Sequence, residues 1–140
     1  MLVTKAVATC LLLAAQTYNI PPAVLIGIMQ VEGGQVGQSV GPNVNGSYDL
    51  GPMQINTVWV PQLAEYWNVD QGTAYTWVRD DACTNIGVAA WILRSHYDDT
   101  QSLSRAIAHY HSKTPKYGYA YRERVVSTMR KNGLIRASTR

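Results

Sequence analysis

Apolar positions along this chain recur mostly at helical spacing, in blocks separated by glycine, proline and asparagine. Residues 4–18 form the first block and predict a helix. Pro21-Pro22 suit the start of a second, because proline lacks only an N–H that a first turn leaves unpaired anyway. That helix carries Val24, Leu25, Ile28 and Met29 at i, i+1, i+4 and i+5, a stripe facing a core, and Gly33-Gly34 stop it. Residues 35–52 are loop chemistry, with Val44–Tyr48 expected as a tight hairpin because Asn45-Gly46 tolerates the positive φ of its turn. A short helix is expected over 52–59, another from Pro61 to Trp67, and one or two turns over 73–78. Asp81 caps a long helix through Tyr97, with Ile86, Ala89, Ala90, Leu93 and Tyr97 on one face. Ser102 caps the next, to His111. "TPKYG" (114–118) reads as a breaking loop before a last helix over 119–132 that Gly133 ends. The pattern is mostly α with one small β feature, and the lack of βαβ alternation excludes a doubly wound sheet.

Composition narrows the class. A chain of 140 residues, 46% hydrophobic and 15% charged, is long and apolar enough for one domain with a real core, placed at about 4–133. A net charge of +3 is far below that of a dedicated nucleic-acid binder, so no nucleic-acid partner is expected. It suits an acidic polymer such as a cell wall, or a membrane surface. No apolar run reaches the ~18 residues of a spanning helix. The opening "MLVTKAVATCLLLAAQ" has some look of a signal peptide, but cleavage after Ala15 would discard Cys10 and leave Cys83 alone. We therefore expect the segment to be the first helix of the folded domain, with any export signal upstream. Cys10 and Cys83 lack metal-type spacing. Two buried thiols, or one disulfide formed in an oxidising compartment, both fit.

One acid stands out among the apolar blocks. Glu32 ends the second predicted helix, where the helix dipole disfavours a negative charge, and Met29 and Val31 would desolvate it. A carboxylic acid kept protonated near neutral pH is a candidate general acid, and Gly33-Gly34 would leave room for a ligand beside it. The alternative is a solvated acid in front of a glycine cap. In "NGSYDLGPMQIN" (45–56), Gly51-Pro52 allows close backbone approach and Gln54 is a bidentate amide suited to a sugar acetamido or hydroxyl group. In "AIAHYHS" (106–112), His109 and His111 point to different faces of a helix, which argues against a shared metal, and no metal site is expected. There is no G-x-S-x-G elbow to support a serine hydrolase. Tyr117, Tyr121 and Arg124 cluster near the last helix start, and four Trp and nine Tyr without one Phe suit wet grooves that stack on sugars.

Taken in order, "MQVEGG", "YDLGPMQIN", "CTNIGVAAWILR", "AIAHYHS" and "YRERVV" resemble the lysozyme-like lytic transglycosylases (the SLT domain). The resemblance is to the small specialised group that accompanies secretion, conjugation and pilus machines, and it spans about Cys10 to Val126. It implies a mostly α, lysozyme-like (α+β) single domain over 1–140 with a small β-hairpin region beside the cleft. It implies that Glu32 is the catalytic acid/base. Gly51, Met53, Gln54, Asn56, Tyr110 and His111 would line or build the sugar cleft, and Tyr121 would lie within hydrogen-bond reach of Glu32 and orient it. It also implies that Cys10 pairs with Cys83. Pro52 departs from the usual Leu, His111 from the common Asn, and Lys113-Thr114 from the frequent Gly.

The expected reaction is cleavage of the MurNAc–GlcNAc β-1,4 bond in peptidoglycan with closure of a 1,6-anhydro ring. It would need no cofactor, and it would open the wall locally for an envelope-spanning machine, in the periplasm or as an exported envelope protein. The expected partners are glycan strands and components of such a machine, with the protein itself a monomer. A water-using glycosidase needs a second carboxylate, and Asp49 is the only acid in the candidate cleft segments. A lysozyme-type hydrolase is therefore the alternative, with a non-catalytic glycan-binding module as a third reading.

Overall fold

The computed structural model describes residues 3–136. Its elements follow in the order α1 (Lys5–Tyr18), α2 (Pro22–Glu32), β1 (Ser39–Val40), β2 (Asp49–Leu50), β3 (Ile55–Asn56), a 3₁₀ turn (Thr57–Trp59), α3 (Val60–Trp67), α4 (Gln71–Asp80), α5 (Ala82–Thr100), α6 (Leu103–His111) and α7 (Pro115–Lys131). The chain is thus mostly helical, with a small three-stranded antiparallel sheet, as a lysozyme-like fold requires.

Helix ends follow local chemistry. Thr4, Asp70, Asp81 and Ser102 cap α1, α4, α5 and α6 by accepting backbone N–H bonds, which removes part of the cost of the unpaired first turn. The expected caps Asp81 and Ser102 are both present, and Gly33 closes α2 in the left-handed conformation at φ 64°. The opening segment is a packed helix, with Val7, Leu11, Ala14 and Ala15 buried. Cys10 and Cys83 form a disulfide that ties α1 to α5.

The structure corrects the sequence reading in several places. No α-helix covers 52–59; Ile55-Asn56 pairs with Asp49-Leu50, and Asn56 then caps a 3₁₀ turn through its side-chain oxygen on Val58 N. Asn45-Gly46 sits at the tip of a longer connection instead of a tight hairpin. A turn bond from Gly46 N to Asn43 O closes that tip, but ladder pairing starts only at Val40 and Asp49. "TPKYG" is not a breaking loop, because Pro115 opens α7. Gly118 is buried in its first turn, where a Cβ would stand 2.5 Å from Ser112 O. This glycine lets α6 and α7 touch, a use of Gly that looks the same in sequence as a loop. Helix α5 runs past Tyr97 to Thr100 and stops at Gln101 in a left-handed conformation, for which a glutamine gives no signal.

The core is one cluster around α5, joined by Leu25, Ile28 and Met29 of α2, Leu50 and Ile55 of the sheet, and Val125 and Met129 of α7. The predicted stripe on α2 is buried as expected. Each such aliphatic side chain contributes on the order of 2 kcal/mol when removed from water. Helices α2 and α7 cross closely at Gly27, whose missing Cβ would lie 2.6 Å from Met129 Cγ. That crossing fixes where the last turn of α2 meets the first half of α7.

Candidate active site

Burial and strand alternation assemble a cleft of about 1080 Å³ between the sheet and helices α6 and α7. In the sheet, Leu50 pairs with Ile55 and both are buried, while Asp49 pairs with Asn56 and both are half-buried. Because successive strand side chains face opposite ways, the first pair enters the core, with Ile55 also touching the cleft floor, and the second lines the cleft. Glu32 reaches the cleft from the end of α2, and Tyr110 and His111 reach it from the last turn of α6.

Glu32 Oε2 accepts a 2.7 Å hydrogen bond from the hydroxyl of Tyr121, which is buried on α7. Burial pushes the Glu32 carboxyl up to about 7; the Tyr121 hydrogen bond and the more distant Arg124 pull it down, and Asp49 pushes it up further. The desolvation expected from the sequence is therefore the largest influence on this acid. Tyr121 is itself clamped. The His111 ring stacks on it at 4.9 Å and 11°, Tyr110 stacks at 6.4 Å, and the Arg124 guanidinium lies 5.5 Å from its ring centre. Burial beside Glu32 raises the Tyr121 hydroxyl far above the usual tyrosine range, so it remains a donor.

The remaining predicted residues divide into cleft wall and support. Gln54 lines the cleft, with φ +52° and its Nε2 donating to Gly51 O at 3.0 Å. Gly51 and Met53 do not line the cleft; both are buried behind its wall. Met53 O accepts the Tyr110 hydroxyl at 2.7 Å, and Met53 N donates to Asn85 Oδ1 at 2.8 Å. Asn56 lines the cleft, but its amide is spent within the sheet region, donating to Asp49 Oδ1 at 3.0 Å and Ser47 Oγ at 2.9 Å. Asp49 Oδ2 accepts from Asn43 Nδ2 at 3.3 Å, so both carboxylate oxygens have amide partners. Glu32 and Asp49 are the only carboxylates on this cleft among the described residues.

The glycine pair has a different purpose from the one expected. Gly33 is a helix cap with open space where a Cβ would go. Gly34 is pressed against the Gly51 carbonyl oxygen and lies 2.6 Å from Gln54 Nε2, both measured from where its Cβ would be. Gly34 therefore lets the chain leaving Glu32 dock on the Gly51 turn, and neither glycine lines the cleft.

Sequence reasoning gave Asn85 no role of its own. It is fully buried on α5, and its amide donates to Leu50 O and Val78 O at 2.8 and 2.9 Å while accepting from Met53 N. Gly51, at φ +66°, fits under it; a Cβ there would meet Asn85 Nδ2 at 2.5 Å. The legible signal was an amide in register with Ala89, Ile92 and His96, a stripe that proves buried. Trp59, His96, His109, Lys113 and Tyr117 also line the cleft; His109, Lys113 and Tyr117 had drawn notice in the sequence, and Trp59 and His96 had not. His96 is buried, and its own burial, then His109 and Lys113, keep its imidazole below the usual histidine range.

The transglycosylase SLT domain family matches residues 9–124. No curated protein matches the chain in sequence. The match covers most of the 140 residues, and the chain belongs to the transglycosylase SLT domain family. Its general activity is thus of the lytic transglycosylase type, and its substrate is peptidoglycan, a polymer outside the cytoplasm.

Proposed function

We propose that this member of the SLT family cleaves the MurNAc–GlcNAc β-1,4 bond by intramolecular transglycosylation, with Glu32 as its one acid/base group. The observation that carries the reading is the Glu32 carboxyl, held near pH 7 in the cleft and hydrogen-bonded to a buried Tyr121. Protonated Glu32 gives its proton to the glycosidic oxygen as the C1–O bond breaks, and GlcNAc leaves with a free 4-hydroxyl. Positive charge develops at C1 of MurNAc in an oxocarbenium-like transition state, which the 2-acetamido oxygen stabilises. The MurNAc 6-hydroxyl then attacks C1 and yields its proton to the Glu32 carboxylate. A 1,6-anhydro ring closes, Glu32 is again protonated, and no water is consumed.

In this scheme Tyr121 is a positioning residue, since its hydroxyl fixes one Glu32 oxygen and leaves the other for the substrate. Gln54, Tyr110 and His111 line the sugar path, while Gly51, Met53 and Asn56 hold the wall in shape. The hydrolytic alternative asks Asp49 to act as nucleophile or as base on a water. Asp49 accepts from Asn43 and Asn56 through its two oxygens, which favours a structural and electrostatic part for it over a chemical one. Local opening of the wall for an envelope-spanning machine follows from the motif resemblance, and capture of such a machine's components by the tagged protein in intact cells tests it.

Loss of clearing of a purified sacculus suspension tests the assignment of Glu32. Glu32→Gln keeps the shape but has no proton to give, and should lower the rate by about 10²-fold or more. A variant that clears sacculi at the wild-type rate removes Glu32 from the mechanism.

A further inference from the structure

A second cavity, of about 420 Å³, opens away from Glu32 among α1, α3, α4 and α5. Five of its lining side chains are aromatic: Tyr18, Tyr66, Trp67, Trp77 and Trp91. Tyr66 is 83% exposed and Trp77 43%, an unusual position for two large rings on a protein with a complete core elsewhere. Trp67 and Trp77 stand 5.6 Å apart at 51°, so their faces form a corner. Gln62 and Thr84 supply an amide and a hydroxyl at the same cavity, and Leu63 and Val88 are its only branched aliphatic side chains. Rings with a few hydrogen-bonding groups suit a sugar, which has apolar C–H faces and a polar rim. The volume lies at the small end of ligand sites, the scale of one or two rings.

Two further observations set this cavity apart from a chance dent. Gly87 lies in its floor, in the interior of α5, where glycine weakens a helix relative to alanine. Nothing lies within 4 Å of where its Cβ would be, so no packing contact demands a glycine there. The missing side chain does keep the cavity open. The cavity also adjoins the cleft through aromatic contact: Trp91 on its wall meets Trp59 on the cleft wall at 5.5 Å, edge to face.

We propose that this cavity is an accessory saccharide site for an N-acetylhexosamine unit of the glycan substrate, separate from the cleft that holds Glu32. The identity of the natural ligand rests on the peptidoglycan reading above; saccharide binding at the cavity does not. Holding a second unit would keep the enzyme on an insoluble polymer between cleavage events, by raising the local concentration of strand at the cleft.

The test is a titration of the full chain carrying Glu32→Gln with tri-N-acetylchitotriose, followed through the indole N–H resonances. Trp67 and Trp77 report the cavity, and Trp59 reports the cleft. Saturable shifts at Trp67 and Trp77 are expected. Gly87→Gln, which places a good helix former in the floor, should abolish them while Trp59 still responds. In the catalytically active background, Gly87→Gln should weaken co-sedimentation with sacculi by roughly 2- to 12-fold, the range one stacking contact supplies. Trp77→Ala should do the same without change in cleavage of short soluble strands. Silence of Trp67 and Trp77 at millimolar saccharide overturns the inference, as does persistence of their shifts in folded Gly87→Gln. So does a cavity that takes an apolar dye and no saccharide, since the surface is then one for an apolar partner. The two readings fail separately: cleavage with only Trp59 responding removes the accessory site, and a response at Trp67 and Trp77 without cleavage removes the lytic one.

Discussion

At the scale of the residue, one proton governs the chemistry. Glu32 titrates near 7 instead of 4.5, because burial penalises its charged form. Folding therefore strengthens its hold on a proton, so this group's contribution to stability is fully present below about pH 4.5. That contribution is lost as pH rises through about 7. The difference is at most about 3 kcal/mol at one kcal/mol-scale step per pH unit. Glu32→Gln, which cannot ionise, should thus raise the melting temperature at pH 8 and leave it little changed near pH 4. A scan showing the gain only at low pH would contradict the buried acid. Cleavage by the wild type should fall as pH rises through about 7, where the acid is lost.

Its two neighbours should move that alkaline limb in opposite directions. The Tyr121 hydrogen bond lowers the Glu32 pKa and Asp49 raises it. Tyr121→Phe should shift the limb upward and cost about fivefold in rate, for one hydrogen bond of about 1 kcal/mol. Asp49→Asn should shift it downward. Rate profiles against pH for the two variants decide this, and shifts of the same sign would refute the electrostatic picture. Glu32 was legible from sequence because it breaks an apolar helix at its end. Its partner Tyr121 lies 89 positions away, and spacing alone gave no pairing; only the family resemblance did.

At the scale of the element, the site depends on three pieces of backbone meeting at one turn. The Gly51 turn is gripped from below by Asn85, from the side by Gly34, and through Met53 O by Tyr110. Asn85→Ala would leave Met53 N, Leu50 O and Val78 O short of partners in the interior. Each unsatisfied group costs about 1–3 kcal/mol, so the variant should lose on the order of 3 kcal/mol or more in chemical denaturation. Surviving folded protein should bind glycan poorly, because Gln54 and Tyr110 are held by the same turn. A variant of wild-type stability would show that the amide is dispensable. Long helices and their Asp and Ser caps were readable from local pattern, since they obey local rules. The strands Asp49-Leu50 and Ile55-Asn56 were not, because two-residue strands have no period and exist only through their pairing. Gly118 was misread for a related reason: a glycine required by a helix on the opposite side of a contact looks like a breaker in one dimension.

At the scale of the whole molecule, the helical core carries the stability and the small sheet carries one wall of the cleft. The disulfide joins α1 to α5, and neither cysteine lines the cleft. Closing so long a loop should contribute about 4 kcal/mol by limiting the unfolded chain. The double variant Cys10→Ala/Cys83→Ala should accordingly unfold at markedly lower denaturant, with kcat/KM unchanged below its melting temperature. Loss of activity before loss of structure would place the bridge in the site's architecture. The general class was legible from order and spacing of motifs along the chain. The cleft's extent was not, since Trp59 and His96 come to it from segments whose own pattern reads as ordinary helix or loop.

Intramolecular ring closure by a single acid/base group is most directly tested by digesting purified sacculi in ¹⁸O-labelled water and weighing the released muropeptides. The expected products are muropeptides ending in 1,6-anhydro-MurNAc, each lighter by one water than its reducing counterpart and free of ¹⁸O, released about 10²-fold more slowly, or slower still, by Glu32→Gln. Reducing-end MurNAc carrying ¹⁸O at C1, with no anhydro product, would contradict ring closure and return Asp49 or a water to the mechanism.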